Sequence, residues 1–169
     1  CKFRNSGQVC IAANRFLIQS GIYSEFRDKF AERIRGLKVG NGAEPQNQVG
    51  PLITQEGAVK VGRHVDDALS KGAVLEFGGQ MHELGGTFFE PTLLTNIAPN
   101  MALSEEETFG PVAGLQVFEE ELEAIELANA TSSGLAAYFY AKDNARVWRV
   151  AEALEFGMVG VNSGLVSTS

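Results

Sequence analysis

The stretch RFLIQSGIYSEFRDKFAERI, Arg15 to Ile34, decides the architecture. Its first five residues, Arg15–Gln19, form a short apolar run of strand length. Beyond Ser20-Gly21, the residues Ile22, Phe26, Phe30 and Ile34 recur every four positions and so share one face of a helix. A strand running straight into a helix is half of a crossover unit, and the pattern repeats downstream. Gly40 and Gly42 end the first helix and open a loop to Pro51. Thr54 is placed to cap a second helix that carries Val61, Val65 and Leu69 inward and stops at Gly72. Ala73–Phe77 reads as a second strand, and Thr87–Leu94 as an extended segment that Pro91 assigns to a sheet edge. Ala113–Phe118 reads as a strand, Glu119–Asn129 as an acidic helix and Ala136–Ala141 as an apolar run of strand length. Asp143 or Asn144 can cap a helix with Val147, Val150, Ala151 and Leu154 inward, ended by Gly157. Met158–Val161 is a final strand, and Asn162–Ser169 a loop. The expected fold is α/β: an open, mostly parallel twisted sheet with helices on both faces. With no internal repeat or linker, residues 1–169 read as one domain.

Composition narrows the function. A net charge of −7 with scattered Lys and Arg argues against a nucleic-acid surface. No apolar run approaches the roughly 18 residues that span a bilayer, and Cys1-Lys2-Phe3-Arg4 lacks the apolar stretch of a secretory signal. The absence of an initial Met is read as the mark of a segment cut from a longer polypeptide. Two cysteines make no disulfide scaffold, so a reducing, cytoplasmic setting is expected. His64 and His82 are the only histidines and lie outside any zinc spacing, so no metal site is expected. Gly40-Asn41-Gly42 follows a helix and lacks a third glycine, so it is no dinucleotide fingerprint.

Two stretches carry chemistry. The first is Asn5-Ser6-Gly7-Gln8-Val9-Cys10, followed by Asn14-Arg15. Taken alone, a lone cysteine beside apolar residues is more often a buried core thiol than a nucleophile. Neither histidine has a partner motif that would make a Cys–His pair. The second is Glu105-Glu106-Glu107-Thr108-Phe109-Gly110-Pro111. A solvated acidic turn accounts for its charges but not for the aromatic between two turn residues.

Together and in this order, the two stretches resemble the aldehyde dehydrogenase superfamily. The nucleophile segment and the E-E-T-F-G-P signature stand at a fitting separation, Cys10 to Glu107. Val49-Gly50-Pro51-Leu52-Ile53, Phe89-Glu90-Pro91-Thr92 and Gly134-Leu135-Ala136-Ala137-Tyr138 match as well, so the resemblance covers the whole chain. It implies that Cys10 attacks an aldehyde, that Glu107 accepts hydrogen bonds from the nicotinamide-side ribose, and that Phe109 packs near the nicotinamide of NAD or NADP. It also implies that the general base, the oxyanion amide and the dinucleotide-binding domain lie upstream. A C-terminal oligomerisation segment would lie downstream, in a homo-oligomer. The chain alone is then expected to be inactive. A catalytically silent structural module is the rival reading; the joint presence of Cys10, Glu107 and Phe109 speaks against it.

Lys2-Phe3-Arg4-Asn5 and Gly164-Leu165-Val166-Ser167 resemble the succinate-semialdehyde dehydrogenase branch. The resemblance implies Arg4, and Ser167 beside it, as ligands of a substrate carboxylate. A related semialdehyde with a terminal carboxylate would use the same Arg, and a structural cation is the other reading of Arg4. Some members of the branch carry a second cysteine two residues after the nucleophile. Here that position is Ala12, and Cys1 is too distant in sequence to be expected in its place.

Overall fold

Leu93 and Leu94 are adjacent in one strand and both fully buried, yet they belong to different cores. Successive strand residues point to opposite faces, so a strand apolar at every position must be covered on both sides. The computed structural model describes residues 1–166, and its central sheet is built around that strand. Ser167, expected as a substrate ligand, lies outside the described residues.

The sheet contains β1 (Phe16–Gln19), β2 (Val74–Phe77), β3 (Thr92–Thr95) and β4 (Val112–Phe118), in the order β1-β4-β3-β2. β4 pairs in parallel with β1, with Phe16 opposite Leu115, and with β3, with Thr92 opposite Val112. β2 alone runs antiparallel, and its ladder is irregular between Leu75 and Phe77. Helix α1 (Tyr23–Arg35) covers the Leu93 face with Ala31 and Ile34, and Phe26 and Phe30 pack beside them. Helix α2 (Gln55–Ser70) covers the Leu94 face with Ala58, Val61, Val65 and Ala68. The short α3 (Ala102–Glu105) packs against α2, and Leu103 joins the same core. Thus the sheet is mostly parallel with helices on both faces. Thr54 caps α2 as expected, its hydroxyl accepting from the Gly57 amide at 3.1 Å.

The last third of the chain carries a second, smaller sheet. Helix α4 (Glu121–Asn129) packs on β4, and β5 (Ala136–Phe139), α5 (Asn144–Ala153) and β6 (Met158–Val161) follow. β5 and β6 pair in parallel as a two-stranded sheet that shares no ladder with the first, where a single sheet had been expected. Asp143 caps α5, its carboxylate accepting from the Arg146 amide at 2.8 Å.

Three local expectations are corrected. β3 is an interior strand, not an edge: Pro91 stands just before it, and the first ladder bond comes from the Thr92 amide to the Pro111 carbonyl. Ile22 precedes α1 and is exposed, and Leu69 is exposed in the last turn of α2. At both helix ends the apolar spacing continues past the point where a partner surface covers it. Among the described residues, no helix is long and apolar enough to cross a membrane.

Candidate active site

The segment before Cys10 is a tight turn, Arg4–Gly7, with Asn5, Ser6 and Gly7 all in the left-handed region at φ of 50°, 57° and 77°. Left-handed backbone costs an L-residue roughly 1–2 kcal/mol, so a run of this kind persists only where surrounding contacts impose it. Here the loop Val49–Ile53 imposes it. The buried Ser6 hydroxyl donates to the Gly50 carbonyl at 2.8 Å, and the Gln8 amide oxygen accepts from the Ile53 N–H at 2.8 Å. Asn5 closes the turn by donating to the Gln8 carbonyl at 3.1 Å.

Cys10 follows on the exposed side of this turn. The exposure removes the reading of a buried core thiol. Tyr138, on β5, donates its hydroxyl to the Ile11 carbonyl at 2.8 Å and lies close enough to feel a charge on Cys10. Burial raises the Tyr138 pKa, and the backbone of Val166 opposes that shift. Tyr138 therefore ties three pieces together: the nucleophile loop, the small sheet and the loop that leads to Ser167. The sequence marked it only as the end of a matching stretch.

Asn14 and Arg15 hold the exit of the loop. The Asn14 side chain donates to the carbonyls of Leu103 (2.8 Å) and Glu106 (2.9 Å) and accepts from the Thr108 amide at 3.1 Å. It stitches the nucleophile segment to the acidic segment across 94 residues of chain. Arg15 donates to the carbonyls of Leu127 and Ala128 at 2.6 Å each, capping the C-terminal end of α4, where a cation is favoured.

The acidic segment is held from the other side by α2. Lys60 donates to the Glu107 carbonyl at 2.6 Å, and Arg63 pairs with Glu106 at 3.1 Å. His64 is fully buried, with Nδ1 3.1 Å from the Thr108 hydroxyl and Nε2 3.3 Å from the Glu106 carboxylate. Both ring nitrogens are thereby committed, leaving none for a Cys–His pair. The turn between these anchors exposes two side chains, the Glu107 carboxylate and the Phe109 ring, the latter at φ 53°. The two motifs meet at their glycines: Gly7 packs on the Gly110 carbonyl, and Gly110 on Val61 of α2. Behind them Lys2 is buried; desolvation lowers its pKa to about 8, with Glu107 pulling in the opposite direction.

Two placements differ from simple expectation. Arg4 is exposed on the same turn as the nucleophile segment, and lines a cavity of about 380 Å³ with Phe16, Phe30 and Ile34 whose wall does not include Cys10. Cys1, which sequence distance had set aside, has its sulfur 3.4 Å from the Ala13 amide and 3.8 Å from the Ile11 carbonyl, beside the nucleophile loop.

Known proteins share this sequence and fold. A succinate-semialdehyde dehydrogenase of Burkholderia pseudomallei superposes with a TM-score of 0.97 at 53% identity, over 99% of this chain and 35% of that one. A probable succinate-semialdehyde dehydrogenase (NADP+) of Sinorhizobium fredii is 54% identical over 167 residues, 99% of this chain and 34% of its own length. The mitochondrial succinate-semialdehyde dehydrogenase of Rattus norvegicus is 54% identical over 168 residues, 99% of this chain and 32% of its own length. The chain thus spans about a third of the length of the curated relatives it matches. The family model described as aldehyde dehydrogenase family matches residues 1–169. With both motifs joined in one site and the match running from end to end, the chain belongs to the aldehyde dehydrogenase family.

Proposed function

We propose that this chain is the nucleophile-bearing domain of an enzyme that oxidises succinate semialdehyde to its acid, with Cys10 as the attacking group. The dinucleotide-binding domain and the oligomerisation segment would be supplied by the rest of the polypeptide. One observation carries the reading: an exposed cysteine on a turn locked, glycine to glycine, against a second turn that exposes a carboxylate and an aromatic ring.

The chemistry follows from the residues. An aldehyde does not readily surrender hydride until a nucleophile has made its carbon tetrahedral and its oxygen negative. The Cys10 thiolate forms that carbon–sulfur bond, and its own backbone N–H helps to hold the oxyanion. A nicotinamide dinucleotide, when bound, supplies the hydride acceptor. Loss of hydride leaves a thioester on Cys10, and water releases the acid and restores the thiol. Glu107 offers two acceptor oxygens to ribose hydroxyls, and Phe109 offers an apolar face to a flat ring. Both side chains face outward from an anchored turn, as the dinucleotide requires. The cofactor proposed for this chain is NAD or NADP, and the Sinorhizobium relative's name, which carries NADP+, supports the second. Arg4 is proposed to hold the substrate carboxylate, with Ser167 as a second donor.

Alkylation tests the nucleophile. In the intact enzyme, iodoacetamide should label Cys10 faster than Cys1 and abolish aldehyde oxidation, and succinate semialdehyde should protect against it. Labelling of Cys1 alone, with loss of activity, would remove Cys10 from its role.

A further inference from the structure

The buried stripe of α2 is apolar at Ala58, Val61, Val65 and Ala68, and His64 interrupts it with no exposure at all. Filling that space asks only for a side chain of the right size, so the reason for an imidazole lies in its two nitrogens. Both reach the acidic turn, and they reach the residues on either side of Glu107: Glu106 at 3.3 Å and Thr108 at 3.1 Å. The Glu106 carboxylate needs a donor at Nε2, whereas the Thr108 hydroxyl can take either role at Nδ1. In the neutral ring, Nε2–H donates to the Glu106 carboxylate and Nδ1 accepts from the Thr108 hydroxyl. Burial holds the His64 pKa below its usual value even though Glu106 acts the other way, which keeps the ring in that neutral form.

We infer that His64 is a positioning residue for the dinucleotide cofactor, fixing the direction of Glu107 and Phe109 by gripping the turn on both sides of Glu107. Lys60 and Arg63 reach the same turn from the surface, Lys60 through the Glu107 carbonyl and Arg63 through the outer Glu106 carboxylate. Asn14 holds the backbone of Glu106 and Thr108, and His64 adds a side-chain grip from the fully buried face of α2, where a hydrogen bond is strong and costly to break. The inference rests on the reading of Glu107 and Phe109 as cofactor contacts.

The test compares His64→Leu, which keeps bulk and removes both contacts, with His64→Gln, which keeps a donor and an acceptor. In the intact enzyme, His64→Leu should raise the Kd for NADPH or NADH, read by fluorescence titration, about tenfold, and His64→Gln should restore it to within about threefold. Amide exchange of residues 106–110 in the cofactor-free enzyme should quicken in the Leu variant and return in the Gln variant. The aldehyde KM and the rate of Cys10 alkylation should stay within about twofold of wild type in both. An unchanged Kd in His64→Leu overturns the inference, as does parallel deterioration of Kd, aldehyde KM and alkylation. If His64→Leu does not accumulate folded, Thr108→Val removes the hydroxyl that faces Nδ1 at equal shape, and an unchanged Kd there is equally fatal. Glu107→Gln is measured alongside. If it weakens cofactor binding and His64→Leu does not, only the positioning role fails; if it changes nothing, the cofactor reading of the turn fails first.

Discussion

A Cβ atom on Gly7 would lie 2.1 Å from the carbonyl oxygen of Gly110, so the two motif glycines touch backbone to backbone. The contact joins the turn that presents Cys10 to the turn that presents Glu107, and neither backbone has room to yield.

Gly7→Ala should therefore be severe. It adds an overpacking cost of about 1–3 kcal/mol to a left-handed φ of 77° that costs an alanine roughly 1–2 kcal/mol more. The intact enzyme should melt lower and lose reactivity at Cys10. Gly42→Ala is the control, since nothing lies within 4 Å of a Cβ built there, and its effect should stay within about 0.5 kcal/mol. Similar melting temperatures for the two variants would contradict the close approach.

Glu107→Gln keeps shape and removes charge. In the full-length enzyme it should slow hydride transfer in single-turnover measurements and leave the aldehyde's affinity nearly unchanged. An unaltered transfer rate would return Glu107 to the ordinary surface acids.

Arg4→Ala separates the substrate reading from a structural one. Oxidation of succinate semialdehyde should fall relative to butanal by a factor of about 30 to 1,000 in kcat/KM. That corresponds to roughly 2–4 kcal/mol for a desolvated, bidentate contact that butanal cannot make. Equal losses for both aldehydes would mean that Arg4 supports the turn bearing Cys10.

Lys2 gives a pH signature in the stability of the fold. Its folded pKa, about 8, lies below the ordinary 10.5, because burial disfavours the charged form. Between those values the unfolded chain binds more protons, so this group's contribution to stability improves as pH rises from about 8 to 10.5 and is least favourable below 8. Lys2→Met should accordingly stabilise the enzyme at pH 7, by on the order of 2–3 kcal/mol, and the gain should fade above pH 8. Denaturant titrations at pH 7 and pH 10 decide it; a gain equal at both would mean that packing, not charge, is responsible.

Much of this was legible in the residues, for reasons that also mark where reading stops. The face of α1 and the caps Thr54 and Asp143 are local, set by spacing within one turn or two, and the sequence states them directly. Pro91 misled because the rule concerns a proline inside a ladder, and one residue of offset puts it outside. Nothing in a run of strands says which share a ladder, so the separation of β5–β6 from the large sheet could not be read. The exposure of Cys10 and the contact between Gly7 and Gly110 depend on chain brought in from a hundred residues away. Asn14 was visible only as part of a matching pair; its work in holding Glu106 and Thr108 was not. His64 left no signal, because a histidine in an apolar stripe reads as filler until its partners are known.

The backbone of Phe109, at φ 53°, is one that glycine adopts freely and a bulky residue adopts at a cost. The residue is 38% exposed, so core packing alone does not explain the choice. On the proposed reading of the turn, that strain goes with holding an apolar face open to the dinucleotide.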